Sequence, residues 1–304
     1  MFRIRSDGSG WELSDPDRGL LMQRGLRARV GEADVLSGLR VGDLGKDGQS
    51  YSRLTEFQEN ERGETLIFEE KSRPSDSPII EKVWYSRSET RFRFLSYSEA
   101  RSEIVIVKDR FGKISTFLRG PETTPTTAYV EPGVECLGLQ LRLGAYVPSR
   151  LPRDLSDRRD AELPVIDDRK ILMEGHLLEA PHYENAEAFA ETLFRLGIVR
   201  VDHDVVAVLD DQPSPSAVRT MQLRFLRSTG LSHSLLMQIQ RTRDLVALLR
   251  SGEDVNDVAF QLNFYDQAHL YRSLKRFVGI TARRITEATW VGSLLRLNPP
   301  DAES

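Results

Sequence analysis

The stretch that decides the fold is EDVNDVAFQLNFYDQAHLYRSLKRFVGI, which occupies residues 253–280. Its first half places Val255, Val258 and Leu262 at helical spacing, which predicts a short helix with one apolar face. Asn263 then interrupts the pattern, and asparagine is among the few non-glycine residues that tolerate the left-handed backbone of a tight turn. The sequence therefore predicts a helix that ends in a sharp turn.

A second helix is predicted directly after this turn. The carboxylate of Asp266 can accept a hydrogen bond from a backbone N–H in the first turn of that helix. Its inner face repeats apolar side chains at Leu270, Leu274 and Phe277. Its outer face carries Gln267, Ala268, Tyr271, Arg272 and Lys275. Because amide and guanidinium groups read base edges in the major groove, this face predicts contact with double-stranded DNA.

A similar pair of elements is predicted upstream. A short apolar segment over 203–209 is followed by the breaker run DDQPSPS and by a helix expected over 216–228, which Ser214 or Ser216 can cap. The inner face of this helix carries Met221 and Phe225, and its outer face carries Arg219, Gln222 and Leu223, with Arg224 and Arg227 at the flanks. The sequence thus predicts two helix-turn-helix units.

A longer amphipathic run over 235–250 joins the two units and ends at Ser251 and Gly252. At about 1.5 Å per residue, a helix of this length spans roughly 24 Å. With side-chain reach added, that length approaches the roughly 34 Å repeat of the major groove. One chain is therefore expected to read two successive grooves.

This C-terminal region resembles the DNA-binding region of the AraC/XylS-type transcription regulators. The resemblance rests on MQLRFLRSTGLS at 221–232, on VAFQLNFYDQAHLYRSLKRFVGIT at 258–281 and on their separation, and it covers about a third of the chain. It implies two helix-turn-helix units joined by a helix. The base-reading positions that it implies are Arg219, Gln222 and Leu223 in the first unit and Gln267, Ala268, Tyr271 and Arg272 in the second.

Two positions depart from the pattern of that family. The family commonly has arginine where this chain has Leu223, which implies that the first recognition helix either reads bases weakly or mainly supports the second. The family usually has glycine where Asn263 stands, and the tolerance of asparagine for positive φ makes this change acceptable.

Charge is distributed unevenly along the chain. The net charge is −4 overall, but residues 211–290 carry 11 Lys and Arg against seven Asp and Glu, which leaves −8 on the remainder. This asymmetry favours nucleic-acid contact by the C-terminal part alone. The cations expected to contact phosphates, which position a protein without specifying sequence, are Arg227, Arg241, Arg243, Lys275 and Arg276.

The N-terminal half has a different pattern. Four β-branched or alternating runs, at 79–89, 102–110, 113–123 and 136–146, predict an antiparallel sheet or barrel. The run 177–196 is predicted to be helical. This half is also similar, less specifically, to the N-terminal domains of a subset of AraC-like regulators, in the residues VWY at 83–85, GP at 120–121 and the run 138–158. That likeness implies a regulatory domain without naming its effector.

The predicted fold class is α+β, with a mainly antiparallel β domain for sensing or oligomerisation and an all-α C-terminal domain. Residues 66–197 are assigned to the β-rich regulatory domain, 198–290 to the DNA-binding domain and 291–304 to a C-terminal tail. Residues 1–65 are polar and weakly periodic, so they form either a small β-rich element packed through Trp11, Leu20 and Leu21 or a loosely ordered extension.

Several function classes are not expected. The lone cysteine, Cys136, excludes an internal disulfide and is predicted to be a small buried apolar residue. With no leader pattern and no apolar run long enough for a membrane, we expect a soluble, cytoplasmic protein. Phosphate-binding glycine loops and nucleophile elbows are absent, and His176, His182 and His203 match no metal signature. We expect no catalytic residues, no bound metal and no cofactor, and therefore no enzymatic activity.

Double-stranded DNA is the expected partner. The resemblance adds RNA polymerase, a small-molecule or protein effector at the N-terminal domain, and a second copy of the chain. The alternative is a sensor or protein-interaction module that binds no DNA, keeps the same helical scaffold, and uses exposed faces at Tyr271, Leu223 and Phe264 for protein contact.

Overall fold

Antiparallel strands dominate the described part of the chain up to Glu179, as the alternating runs predict. The computed structural model describes residues 2–4, 11–13, 21–22, 52–59, 65–157, 160–167, 169–213, 216–288, 290–291 and 294–297. The strands of this part, in chain order, are β1 (Phe2–Ile4), β2 (Trp11–Leu13), β3 (Leu21–Met22), β4 (Ser52–Glu59), β5 (Thr65–Pro74), β6 (Ile80–Ser88), β7 (Phe92–Ser96), β8 (Glu103–Lys108), β9 (Ile114–Arg119), β10 (Thr126–Val130), β11 (Val134–Leu141), β12 (Ala145–Tyr146), β13 (Ala161–Leu163), β14 (Val165–Ile166), β15 (Lys170–Met173) and β16 (His176–Glu179).

Helices make up most of the chain beyond this point, so the fold class is α+β as predicted. The later elements are α1 (Ala186–Arg195), β17 (Arg200–Val201), α2 (His203–Leu209), α3 (Val218–Ser228), α4 (His233–Arg250), α5 (Val255–Gln261), α6 (Gln267–Phe277), α7 (Ala282–Thr286), β18 (Trp290–Val291) and β19 (Leu294–Leu297). We call 52–180 the β region and 203–286 the helical region. Within the described residues, no helix combines the length and apolar content that a bilayer span needs.

A seven-stranded antiparallel sheet is the centre of the β region. Its strand order is β13-β9-β8-β11-β6-β5-β4, and a four-stranded sheet of order β10-β7-β19-β18 lies against one face of it. Phe68, Trp84 and Val105 of the large sheet share a core with Phe94 and Val130 of the small one. Side chains of successive strand residues alternate between faces, so the two sheets can share this core while the opposite face stays free for other partners.

Close packing between the sheets explains one glycine and the lone cysteine. A Cβ at Gly138 would lie 1.9 Å from the ring of Trp84, so only glycine fits beneath this indole. Cys136, two residues earlier on β11, is buried in the same core, as predicted. Burial raises the pKa of its thiol to about 12. At neutral pH this side chain therefore behaves as a small apolar group.

The opposite face of the large sheet packs against α1. Leu137, Leu139 and Ile106 from the sheet are buried with Phe189 and Leu193 of this helix. An ion pair between Arg73 and Glu187 joins strand β5 of the sheet to the helix. The hydrogen bond to Glu187 raises the pKa of Arg73. Burial opposes ionisation of Glu187, but the hydrogen bond from Arg73 and the other hydrogen bonds of this carboxylate outweigh it and lower the pKa of Glu187.

The prediction of a helix over 177–196 is wrong for the first part of that range. Residues 176–179 form strand β16, which pairs with β15, and the helix begins only at Ala186. The turn between the strands is Glu174–Gly175, and both residues have positive φ, at 50° and 78°. Two consecutive positive φ values are typical of the tight turns that join antiparallel strands. Pro181 then separates the hairpin from α1.

Strands from outside the predicted range 66–197 join the sheets of the β region. Strand β4 (Ser52–Glu59) pairs with β5, so the large sheet begins before residue 66. Strands β1, β2 and β3 form a small antiparallel sheet of their own, while Leu20 lies outside the described residues. Strand β19, within the predicted tail 291–304, pairs with β7. A strand of only four residues gives too short a pattern to be recognised without the neighbour that it pairs with.

Candidate nucleic-acid interface

The second helix pair, α5 and α6, is built as the sequence predicts. Asn263 adopts φ 53°, the left-handed conformation on which the predicted turn depends. The Asp266 carboxylate accepts a hydrogen bond from the backbone N–H of His269 and caps α6. Leu270 and Leu274 are fully buried on the inner face of α6. The orientation of α6 is therefore set by a turn, a cap and a buried apolar face.

The outer face of α6 carries the predicted base-reading groups. Gln267, Ala268, Tyr271, Arg272 and Lys275 are all exposed. The Arg272 side chain is 70% exposed, and its guanidinium lies 3.9 Å from the Asp266 carboxylate. The side-chain amide of Gln267 donates to Asn256 Oδ1 at 2.6 Å. Contacts between exposed groups contribute little to stability, so both side chains can exchange them for other partners.

The first helix pair, α2 and α3, has a smaller core. Met221 and Phe225 of α3 are buried against Val205 of α2, as predicted for the inner face. Arg219, Gln222 and Leu223 are exposed on the other side, with Leu223 62% exposed. The outer face of α3 therefore offers one guanidinium and one amide beside an uncovered leucine.

The start of α3 differs from the prediction. The helix begins at Val218, and its N-cap is Ala217, which makes no side-chain hydrogen bond. The hydroxyl of Ser216 instead lies 3.4 Å from the Asp204 carboxylate, and Ser214 is outside the described residues. Asp204 lies in the first turn of α2. The Ser216 hydroxyl therefore contacts a residue of another helix instead of capping α3, as the local pattern predicts.

Arg224 fixes the two helices of the first pair to each other. Its guanidinium donates to the Asp202 carboxylate at 2.7 Å and lies 3.1 Å from that of Asp204. The hydrogen bond to Asp202 raises the pKa of Arg224 above its usual value. Asp202 also caps α2 through the N–H of Val205. Arg224 therefore has a structural role at the flank of α3.

Helix α4 joins the two pairs, and it spans His233–Arg250 against the predicted 235–250. The hydroxyl of Ser232 caps it by accepting from the N–H of Leu235. Its eighteen residues correspond to about 27 Å of helix. Leu245 and Leu249, in its C-terminal half, are buried in one core with Leu274 of α6. The connecting helix is therefore packed directly on the second pair.

The five cations predicted to contact phosphates fall into two groups. Arg227, Lys275 and Arg276 are exposed, whereas Arg241 and Arg243 on α4 are half-buried. The Arg241 guanidinium lies 5.9 Å from the centre of the Phe264 ring. Arg243 points to the β region: its Nη1 lies 3.3 Å from the Glu99 carboxylate and donates to the Ser98 carbonyl at 3.2 Å. A side chain held in this way is not presented to a ligand on the outer surface.

Two aromatic side chains near α6 were not predicted to be exposed. Tyr265 is 92% exposed and Phe260 is 87% exposed, whereas Phe264 is buried against the ring of His269. The expected exposure of Phe264 is therefore wrong. The left-handed turn at Asn263 directs the next residue inward and the following one outward. The geometry of this turn therefore decides that Phe264 is buried and Tyr265 is exposed, and the composition of the segment does not.

A cavity opens on the β region, on the face of the large sheet that packs against α1. Its volume is about 710 Å³. Lys71 is one of the residues that line it, with its ammonium 4.3 Å from the Tyr183 ring and 5.1 Å from the Tyr85 ring. Burial, and then the neighbouring Glu135 carboxylate, raises the pKa of Tyr85 to about 12. The size falls within the range of small-molecule sites, and the lining combines aromatic, cationic and acidic groups.

Across the described residues, no three His, Cys, Asp or Glu side chains are placed to hold a metal ion together. No protein-family model, curated protein or solved structure matches this chain. The features that bear on function are therefore the exposed groups of the helical region and its connections to the β region.

Proposed function

We propose that the protein is a sequence-specific DNA-binding transcription regulator similar to the AraC/XylS type. In this proposal α3 and α6 are recognition helices that enter adjacent major grooves, and α4 sets their separation. The observation that carries it is the outer face of α6, where Gln267, Tyr271, Arg272 and Lys275 are all exposed opposite a buried apolar face.

Each exposed group on α6 has a chemical role in this proposal. Arg272 donates two parallel hydrogen bonds to the O6 and N7 of a guanine, and Gln267 forms the matching pair with an adenine. Ala268 and Tyr271 offer apolar contact to a thymine methyl group. Lys275, one turn beyond Arg272, contacts a phosphate and positions the helix without reading sequence.

Charge supports the same partner. Residues 211–290 carry a net charge of +4, although the whole chain carries −4. Two acidic groups of this helix pair, Asp257 in the first turn of α5 and Asp266 at the N-cap of α6, reduce its positive charge. Affinity is therefore expected to come from a modest number of phosphate contacts, with base contacts on α6 supplying the preference for sequence.

The β region is the regulatory part in this proposal. Its cavity near Lys71 and Tyr183 has the size for a small-molecule effector, and the helical region is anchored to this part of the chain. RNA polymerase and a second copy of the chain are further proposed partners.

The first experiment is a mobility shift with random-sequence duplex DNA at two salt concentrations. Contact with several phosphates predicts a steep loss of affinity as salt rises, because bound cations are released from DNA. Selection and sequencing of bound genomic fragments would then define the preferred site. Failure to shift DNA at low salt, or an affinity that salt leaves unchanged, would remove the proposal.

The second candidate is a sensor or protein-interaction module that binds no DNA. Specific exposed apolar residues favour it: Val218 and Leu223 on α3, and Phe260 and Tyr265 beside α6. Uncovered apolar side chains of this kind often mark protein-binding surfaces when they are contiguous. In this case the chain shifts no DNA, and exchange of Leu223 and Tyr265 for serine reduces self-association or capture by a partner.

A further inference from the structure

A short piece of the β region completes the core of the helical region. Leu95 at the end of β7 and Tyr97 just after it are buried together with Leu245 of α4 and Leu274 of α6. The backbone N–H of Ser98 donates to the carbonyl of Phe277, the last residue of α6, at 2.9 Å. We call residues 95–99 the bridging segment, because it lies between the two regions and packs with both α4 and α6.

Glu99, at the end of the bridging segment, is a buried carboxylate that pairs with α4. Its side chain is 1% exposed and lies 3.3 Å from Arg243 Nη1 and 3.6 Å from Arg101 Nη1. The Arg243 guanidinium also lies 5.1 Å from the ring centre of Tyr97. A carboxylate removed from water must be paired in this way, so loss of either partner leaves an uncompensated charge.

The large sheet reaches the same carboxylate from the other side. Gln140 on β11 is opposite Lys82 on β6 and Glu103 on β8. Its side-chain amide donates to Glu99 at 3.2 Å and to Glu103 at 3.3 Å. Desolvation, and then the nearby Arg243 cation, lowers the pKa of Lys82 to about 8. The Arg243 charge on α4 is therefore close enough to Lys82 to lower the pKa of a side chain on the sheet.

The ends of the helical region are also held by the β region. Strand β17, just before α2, pairs with β12, and strand β19, after α7, pairs with β7. The helices thus form an insertion between two strands that both join β-region partners. The Glu99–Arg243 pair adds an ionic connection near the middle of α4.

We infer that Glu99 is a positioning residue, which fixes α4 and α6 on the β region by holding Arg243. The inference rests on the proposed function, because it makes the orientation of α6, a proposed recognition helix, and of α4, which joins it to α3, depend on the row Lys82–Gln140–Glu103. A disturbance of that row by an effector reaches α4 through the Glu99 carboxylate, and changes DNA affinity without touching the DNA-facing side chains.

Hydrogen exchange in the full-length chain tests the coupling without DNA. We compare wild type with Glu99→Gln, which keeps the shape of the side chain and removes its charge. Amides of α4 and α6 should exchange about tenfold faster or more, whereas amides of α1, on the far face of the sheet, should change little. The matched control is Glu287→Gln, which breaks the exposed pair with Arg283 on α7. Unchanged exchange in α6, or equal acceleration in α1, overturns the inference.

A variant of Arg243 tests the same contact from α4, and the double variant keeps the test informative if Glu99→Gln fails to fold. Arg243→Met should give the same pattern of exchange, and the double variant should show less than the product of the two single effects, because both remove one interaction. Should Glu99→Gln not fold, the double variant, which lacks both charges, should recover folding. The positioning role is contradicted if the double variant shows the full product of the two single effects on exchange, or if it does not recover folding.

DNA binding provides a readout that a merely structural role would not change. On DNA selected by the wild type, Glu99→Gln should lower affinity about tenfold and should also weaken discrimination against sites with altered groove spacing. A uniform loss with spacing preference intact contradicts the inference. If the wild type binds no DNA, the proposed function fails, and the exchange experiment alone still decides whether Glu99 positions α4.

Discussion

The two helix pairs share an arrangement and differ in what supports them. Behind α5 and α6 lies a core that includes α4 and the bridging segment of the β region. Behind α2 and α3 the core consists of Val205, Met221 and Phe225 with a few partly buried neighbours. The outer faces differ in the same sense, because α6 presents Gln267, Arg272 and Lys275, whereas α3 presents Arg219 and Gln222 beside the apolar Leu223. If the proposed function is right, this difference predicts a second pair that reads sequence and a first pair that assists.

The largest expected difference concerns stability. Leu274→Ala removes a fully buried side chain from the shared core and should destabilise the protein by about 2 to 5 kcal/mol. Met221→Ala should cost less, because the core of the first pair is small and its surroundings can collapse into the space left. Denaturant unfolding of both variants measures this. A greater loss from Met221→Ala would reverse the comparison.

Base reading should show the next largest difference. We expect Arg272→Ala to weaken binding to the selected DNA site by about 1 to 3 kcal/mol and to relax the preference for one base pair. Arg219→Ala on α3 serves as the matched change, with an expected loss below about 1 kcal/mol because α3 carries fewer base-reading groups. Binding isotherms at one fixed salt concentration compare the two. An unchanged affinity and footprint for Arg272→Ala would remove this residue from the reading set.

The turn of the second pair should show a smaller effect. Asn263 has φ 53°, so Asn263→Ala should destabilise the protein by about 1 kcal/mol, since alanine lacks the polar side chain that tolerates this conformation. Asn263→Gly is the control and should be neutral or slightly stabilising, because glycine adopts positive φ without strain. Thermal unfolding distinguishes them. Equal loss from both variants would show that the Asn263 side chain, rather than its backbone conformation, stabilises the turn.

The smallest expected effect separates phosphate contacts, which position the helix on DNA, from base contacts, which read its sequence. Lys275→Ala should lower affinity by a similar factor for all sequences and should reduce the salt dependence of binding by about one unit. Lys113→Ala, at an exposed turn between β8 and β9, changes the net charge equally and should leave binding unaltered. Titrations at several salt concentrations provide the slopes. A sequence-dependent loss for Lys275→Ala would move this residue into the reading set.

Local patterns predicted the second helix pair in detail. The apolar spacing of Leu270 and Leu274, the cap at Asp266 and the positive φ of Asn263 are each set within a few residues, so the sequence reveals them directly. The main strands β6, β8, β9 and β11 were predicted for the same reason. The conformation of such elements is set by residues that are near in sequence, so the apolar periodicity of the sequence reveals it.

Tertiary partners determined what the sequence did not show. Arg243 was predicted to contact DNA phosphate, yet its guanidinium pairs with Glu99, which is far away in sequence. Strand β19 is too short to recognise without β7, and strand β16, paired with β15, occupies the first residues of the run that was predicted to be helical. A long-range contact decides the first two cases, and pairing with the neighbouring strand decides the third.

The most direct test of the proposed function is a footprint on the selected DNA site. Two recognition helices in adjacent major grooves should protect guanine N7 atoms in two patches, centred about 10 base pairs apart on one face of the duplex. The stronger patch should vanish in Arg272→Ala and persist in Arg219→Ala. A single patch, protection confined to the minor groove, or no protection at all would contradict the account.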